Sequence, residues 1–242
     1  MMTDIEKHLD ELKSAAEAGN AEAQTQLGLL MATGEHLDED LEGAFSWFLK
    51  AAQQGEVTAM FNLGIMFDKG LGTRADPGEA ALWFWQAAEQ GDLGARMKLG
   101  SMIILGRGFT EGSSAIRAIA ASAEKGHPYA QAFLAKLYLD GLGLGQSDEL
   151  AEKWFRLAAE QGDESAIFNI GEMMAEGRGI ITPEEEITRW FFDLGMRFMQ
   201  TGDLIKAFDC LVNIKRIDPG NFLAQRLEDE IERANQAQMK RD

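Results

Sequence analysis

The chain has 242 residues, 45% of them hydrophobic, which is enough to bury a large core and excludes a disordered or fibrous protein. Its formal net charge of −17 disfavours nucleic acids and anionic membrane surfaces as partners and favours a basic segment of another protein. The same charge is equally compatible with a role in solubility alone.

Neither a membrane span nor a disulfide is predicted. No apolar run approaches the roughly 18 residues that a membrane-spanning helix needs, and the opening MMTDIEKHLDELK mixes charges without an apolar stretch. Cys210 is the only cysteine, so no disulfide can form within the chain. Its amphipathic surroundings predict a small core residue rather than a nucleophile. These features predict a cytoplasmic protein.

The first predicted element is a helix within residues 1–19, which ends in KSAAEAG. This A-x-x-G ending recurs four more times along the chain, with glycine spacings of 36, 36, 35 and 36. Residues 1–19 are therefore predicted to be a capping half-repeat that precedes a series of full repeats.

Residues 20–199 are predicted to form that series. After each A-x-x-G comes A-x-x-x-L/I-G, in which one position departs from the pattern, and three units also contain A-x-x-W-F. A further glycine closes the first helix of each unit, at Gly34, Gly70, Gly106, Gly141 and Gly177. One unit is thus a helix A, a glycine-rich turn, a helix B and a tight turn.

Each motif has a physical role in such a unit. The apolar residues of A-x-x-x-L-G share one helical face, and a glycine such as Gly28 lets a neighbouring helix approach closely. A Trp–Phe pair such as Trp47 and Phe48 fills the gap to the next unit. Because one unit cannot bury its own apolar face, stacked copies must bury it together.

The pattern changes after the last full unit. Residues 187–242 fit a tetratricopeptide-like unit followed by a C-terminal capping helix, continuous with the repeats. The residues that carry this interpretation are Phe191, Leu194, Gly195, Phe198, Gly202, Ala207 and Pro219.

Across about residues 14–199 the motifs closely resemble the Sel-one-like repeat, a relative of the tetratricopeptide repeat. The resemblance implies an all-α, right-handed superhelical solenoid of about five antiparallel helix pairs plus capping helices, with helix A on the concave face. The third unit has Ala118 and Ile119 in place of Trp–Phe, and the fourth has Ala135 where the family prefers glycine. A bend or loosening is therefore expected around residues 107–122.

Helix A positions outside the buried pattern form the predicted partner-binding surface on the concave face. Apolar side chains would supply affinity, and charged residues a turn away would supply register and association rate. The alternative is that these side chains simply pack against the next helix. The predicted surface comprises Leu29, Phe61, Ile65, Asp68, Met97, Lys136, Asp140, Phe168, Glu172 and Phe192.

The predicted function is non-catalytic protein binding, as an adaptor or scaffold whose groove takes a basic or amphipathic segment. An immunity or inhibitor protein that caps a basic toxin or nucleic-acid-binding partner is the alternative. No convergent titratable cluster suggests an enzyme, and His8, His36 and His127 share no metal-ligand spacing, so no cofactor or metal is expected. Self-association remains open.

Overall fold

The computed structural model describes residues 4–178 and 183–238, and all regular structure in these ranges is α-helical, as predicted. The helices are α1 (Asp4–Glu17), α2 (Ala21–Thr33), α3 (Leu41–Gln53), α4 (Val57–Lys69), α5 (Pro77–Glu89), α6 (Leu93–Ile104), α7 (Ser114–Glu124), α8 (Pro128–Asp140), α9 (Asp148–Glu160), α10 (Glu164–Ala175), α11 (Glu184–Thr201), α12 (Leu204–Ile217) and α13 (Phe222–Gln238).

The chain divides into two compact units, Met1–Ile119 and Ala120–Asp242. In the first unit, α2 packs on α3 and α4 on α5 as helical pairs, and α1 covers α2. In the second unit, α8 packs on α9, α10 contacts α9 and α12, and α11, α12 and α13 pack together. The division falls inside α7, within the segment 107–122 where the repeat pattern departs from its neighbours.

Carboxylates begin many of the helices. The backbone N–H groups of Ala59, Ala95 and Ala166 donate to the side chains of the residues three positions earlier, at 2.7, 2.6 and 2.9 Å. Those acceptors are Glu56, Asp92 and Asp163, at the same position of three repeats, whereas His127 holds this position before α8 and makes no side-chain cap. Each cap accepts a hydrogen bond from a backbone N–H group that has no partner within the helix, and the positive end of the helix dipole stabilises its negative charge. Some of the acidic side chains of the protein therefore stabilise the N-termini of its helices.

The glycine of A-x-x-x-L-G makes room for an aromatic ring on helix B of its own unit, whereas the sequence predicts that this ring fills the gap to the next unit. A Cβ atom on Gly28 would lie 2.9 Å from the ring of Phe48, and one on Gly64 would lie 2.6 Å from Phe84. Both rings are fully buried. The third unit has no phenylalanine at that position, and a Cβ atom on Gly100 would meet nothing within 4 Å. The pairing of glycine and ring thus explains the spacing of both motifs.

One turn residue departs from the glycine of the other units. Gly72, Gly108 and Gly143 occupy the second glycine position of the turn after helix A, with φ values of 63°, 85° and 65°. The first unit has His36 there, and its φ is 63°. Because residues other than glycine rarely adopt this conformation, the backbone geometry of His36 costs about 1–2 kcal/mol.

We therefore expect His36→Gly to raise the free energy of unfolding. Relief of the left-handed backbone strain at residue 36 adds about 1–2 kcal/mol to the free energy of unfolding. The greater conformational freedom of glycine in the unfolded chain subtracts about 0.5–1 kcal/mol from this gain. Urea denaturation of both proteins measures the difference. A lower midpoint for His36→Gly would show that the imidazole makes contacts that outweigh the backbone strain.

Candidate protein-interaction surface

Three of the predicted apolar contact residues are exposed. Met97 on α6 is 77% exposed and Phe168 on α10 is 58% exposed, while Leu29 on α2 lies just above one third. Phe61 and Ile65 on α4 are half-buried. Large apolar side chains at this exposure are available to a partner, because little of the chain covers them.

Leu29 lines a groove of about 610 Å³ between α1 and α2. Its apolar lining is completed by Ile5, Leu9, Leu12 and Leu30, and polar side chains border it at Gln26, Glu35 and the two imidazoles His8 and His36. This groove lies wholly within the first unit.

Phe61 follows the alternative interpretation, packing against neighbouring helices. Its ring centroid lies 5.7 Å from that of Phe84 on α5. A Cβ atom on Gly94, at the start of α6, would lie 3.2 Å from the Phe61 ring. Phe61 therefore joins three helices of the first unit and offers only part of its ring to a partner.

The predicted charged residues are paired within the chain. Asp68 accepts from Arg107 at 2.8 Å, Lys136 donates to Asp140 at 3.2 Å, and Glu172 accepts from Arg216 at 3.2 Å. Each of these pairs is partly exposed, so each contributes at most about 1 kcal/mol and can exchange partners. Their charges are nevertheless compensated, which weakens the predicted acidic flank.

Phe192 does not belong to an exposed surface, and its prediction as a contact residue is wrong. It is 7% exposed in the core of the second unit, and the Arg226 guanidinium lies 5.3 Å from its ring centroid. The reason is that α11 packs against α13 as well as α12, and Arg226 of α13 covers the side of α11 that carries Phe192.

Helix α12 carries an exposed apolar stripe that was not predicted from the sequence. Ile205, Phe208 and Val212 lie on one side of this helix and are all exposed. The opposite side carries the buried residues Ala207, Cys210, Leu211 and Ile214. The spacing of three and four residues in LIKAFDCLVNIKRI was the available signal, since it gives α12 a second apolar face.

A pocket of about 260 Å³ joins this stripe to α10. Phe168 and Val212 form its exposed apolar wall. The remaining lining residues are Glu164, Ile167, Asp209, Asn213 and Arg216. We call the surface formed by Phe168, Ile205, Phe208 and Val212, together with this pocket, the α10–α12 face.

The carboxylates around the pocket are not all compensated. Lys206 binds Asp203 at 2.9 Å, which lowers the pKa of that carboxyl group, and lies 3.8 Å from Glu164. Asp209 has no ion pair with any residue in the described ranges, and burial followed by the charges of Glu164 and Asp203 raises its pKa. The α10–α12 face therefore carries a carboxylate that pairs with no cation in the described ranges.

Cys210 is fully buried, as the sequence predicts, and burial raises the pKa of its thiol to about 12. The thiolate is the reactive species, so we expect the native thiol to react with Ellman's reagent at pH 8 at least about a hundredfold more slowly than that of the unfolded chain. A colour-development time course with and without guanidinium measures both rates. Comparable rates would mean that Cys210 is accessible.

Within residues 4–178 and 183–238, no group of three or more histidine, cysteine, aspartate or glutamate side chains is arranged to hold a metal ion. None of the helices in these ranges is long and apolar enough to cross a membrane.

Comparison with models of known protein families agrees with the motifs. Residues 21–56, 57–92 and 128–163 match the model of the Sel1 repeat, and no curated protein matches the sequence. A solved Sel1 repeat protein from Oxalobacter formigenes is 29% identical over 78% of this chain and 79% of that chain, with a TM-score of 0.44. A protective antigen of uropathogenic Escherichia coli with an SLR fold is 27% identical over 90% of this chain and 50% of that chain, with a TM-score of 0.42.

The three matched segments coincide with the helical pairs α2–α3, α4–α5 and α8–α9. The third unit, which lacks the Trp–Phe pair, lies outside them. Sel1 repeats are non-catalytic helical repeats that generally act as protein-interaction modules. The chain therefore contains three Sel1 repeats, at these residues.

Proposed function

We propose that this chain binds a basic, amphipathic segment of a partner protein on the α10–α12 face. The observation that carries the proposal is the exposed ring of Phe168 in one pocket with the exposed side chain of Val212 and with the carboxylate of Asp209, which pairs with no cation in the described ranges. Aromatic side chains of this kind dominate the energetics of protein interfaces.

Charge supports a basic partner. The net charge of −17 attracts a cationic segment over long range and raises its association rate, while the apolar stripe of α12 supplies contact area. In the first unit, Leu29 and Met97 are the predicted residues that remain exposed for separate contacts. We place this binding in the cytoplasm, where the lone cysteine would stay reduced.

The inhibitor function is a narrower form of the same proposal. A protein that caps a toxin needs a one-to-one complex of nanomolar or higher affinity, whereas an adaptor works at micromolar affinity.

The test uses peptides selected from a random displayed library against the full chain. Calorimetric titration then compares the wild-type protein with Phe168→Glu, which places a charge in the apolar wall. Phe222→Glu is the matched control, because Phe222 is 75% exposed at the start of α13, away from the pocket lining. We expect Phe168→Glu to weaken binding at least about tenfold, or 1.4 kcal/mol, and the control to change it less than about twofold.

Circular dichroism confirms beforehand that both variants keep the helical content of the wild-type protein. Selected peptides that bind Phe168→Glu as tightly as the wild-type chain would contradict the proposed face. A library that yields no specific peptide would contradict peptide binding itself.

A further inference from the structure

We infer that the pocket between α10 and α12 is a receptor for one lysine side chain of the partner segment. This inference rests on the proposed function and names the group that the α10–α12 face recognises. The aliphatic stem would lie along Phe168 and Val212, and the ammonium group would reach the carboxylates of Glu164 and Asp209.

The pocket is of mixed chemistry, as a lysine side chain is. Phe168 and Val212 are exposed apolar walls, and Ile167 beneath them is fully buried. Carboxylates lie at the rim, on α10 and α12. Lysine buries its four-carbon stem against apolar surface while keeping its compact charge among polar groups, so its two parts fit the two parts of the pocket.

Among residues 4–178 and 183–238, no cation forms an ion pair with the carboxylate of Asp209. Lys206, on the same helix, is engaged by Asp203 at 2.9 Å and lies 3.8 Å from Glu164. Arg216, which also lines the pocket, donates to Glu172 at 3.2 Å. The cations near the pocket are thus already shared among other carboxylates, and an incoming ammonium group would complete the pairing of Asp209.

Asn213 belongs to the buried base of the pocket. It is 4% exposed, its Nδ2 donates to the backbone oxygen of Ile167 at 3.4 Å, and its Oδ1 lies against Gly171 of α10. The acceptors for the three donors of the ammonium group are therefore the carboxylates of Glu164 and Asp209.

Asp209→Asn tests the pocket without endangering the fold. The raised pKa of Asp209 means that its carboxyl group binds a proton more tightly in the native state than in the unfolded chain. The free energy of unfolding therefore falls as pH rises from the unfolded pKa through the folded pKa. Asparagine removes that fall. We expect the variant to be at least as stable as the wild-type protein at pH 7, with thermal unfolding at pH 7 and pH 3 showing the difference.

The binding experiment is a double-mutant cycle with a peptide selected against the full chain. The peptide carries its lysine or norleucine at the same position, and norleucine keeps the stem but removes the ammonium group. The protein is wild type, Asp209→Asn or the matched control Asp193→Asn, which makes the same change of charge at an exposed site on α11. Calorimetry measures each combination.

We expect Asp209→Asn and the norleucine substitution each to weaken binding about tenfold, and the two together to weaken it little further. Asp193→Asn should cost less than about twofold, through long-range charge alone. Additive effects, equal effects of the two asparagine variants, or selected peptides that rely on arginine or carry no basic residue would overturn the lysine receptor. If Phe168→Glu still weakens peptide binding, those results overturn only the lysine receptor and not the proposed function. If Phe168→Glu does not weaken binding, both the lysine receptor and the proposed function are overturned.

Discussion

Replacement of Phe155 by alanine is expected to lower the free energy of unfolding by about 3–5 kcal/mol. Phe155 is the phenylalanine of the fourth unit's Trp–Phe pair and is 1% exposed in the core of the second unit. Its ring packs in a cluster with small residues, including Ala135 and Ala159, which cannot extend to fill the space. The loss therefore combines the missing apolar burial with a cavity.

Leu157→Ala is the matched control. Leu157 lies two residues further along the same helix and is exposed, so its truncation should change stability by no more than about 0.5 kcal/mol. Urea denaturation followed by tryptophan fluorescence measures both variants. Equal losses at the two positions would mean that the Trp–Phe motif does not hold the repeat together.

The second large effect is a contrast between two glycines at the same position of successive repeats. Gly64→Ala should destabilise the protein by about 1–3 kcal/mol, because the new methyl group would overlap the buried ring of Phe84. Gly100→Ala should stabilise it by up to about 1 kcal/mol, since alanine is the better helix former and nothing lies within 4 Å of the new atom.

The fourth unit shows why the Gly64 effect depends on context. Ala135 occupies the same position there and is buried beside a buried Phe155, so that helical pair has formed around a methyl group. In the second unit, Phe84 also packs against Phe61 at 5.7 Å, which limits how far the ring can move. Chemical denaturation of the two glycine variants checks the contrast, and the same sign for both would contradict the ring-and-glycine pairing.

The sequence predicted the helices well because each boundary has a local cause. The glycines that close the helices adopt positive φ at Gly34, Gly70 and Gly141, and carboxylates such as Asp92 begin others. These signals act within a few residues, and the 36-residue period repeats them. Local chemistry of this kind can be read from a single sequence.

The candidate surface was less predictable because its details depend on residues distant in the chain. Arg107 pairs with Asp68 across 39 residues, and Arg216 pairs with Glu172 across 44. No sequence motif predicts either pair. The burial of Phe192 was not predicted because it depends on α13, which begins 30 residues later in the chain and packs against α11. The stripe on α12 was missed because this helix carries none of the repeat motifs on which the sequence analysis relied.

The acidity of the chain also proved to have more than one cause. Carboxylates such as Glu56, Asp92 and Asp163 are engaged at helix starts, where they satisfy backbone donors. Asp209 is engaged by no cation in the described ranges. Net charge alone therefore overstates the charge available to a partner, and the unpaired carboxylate is the more specific indicator.

Photo-crosslinking with a selected peptide tests the central claim most directly. Benzoylphenylalanine replaces Phe168 or Val212 on the α10–α12 face, or Phe222 on α13 as the control, in the otherwise unchanged full chain. If the peptide binds at the α10–α12 face, we expect crosslinks from positions 168 and 212, and an excess of unlabelled peptide should suppress them. We expect no crosslink from position 222. Crosslinks from position 222 alone, or equally from all three, would contradict binding at the α10–α12 face.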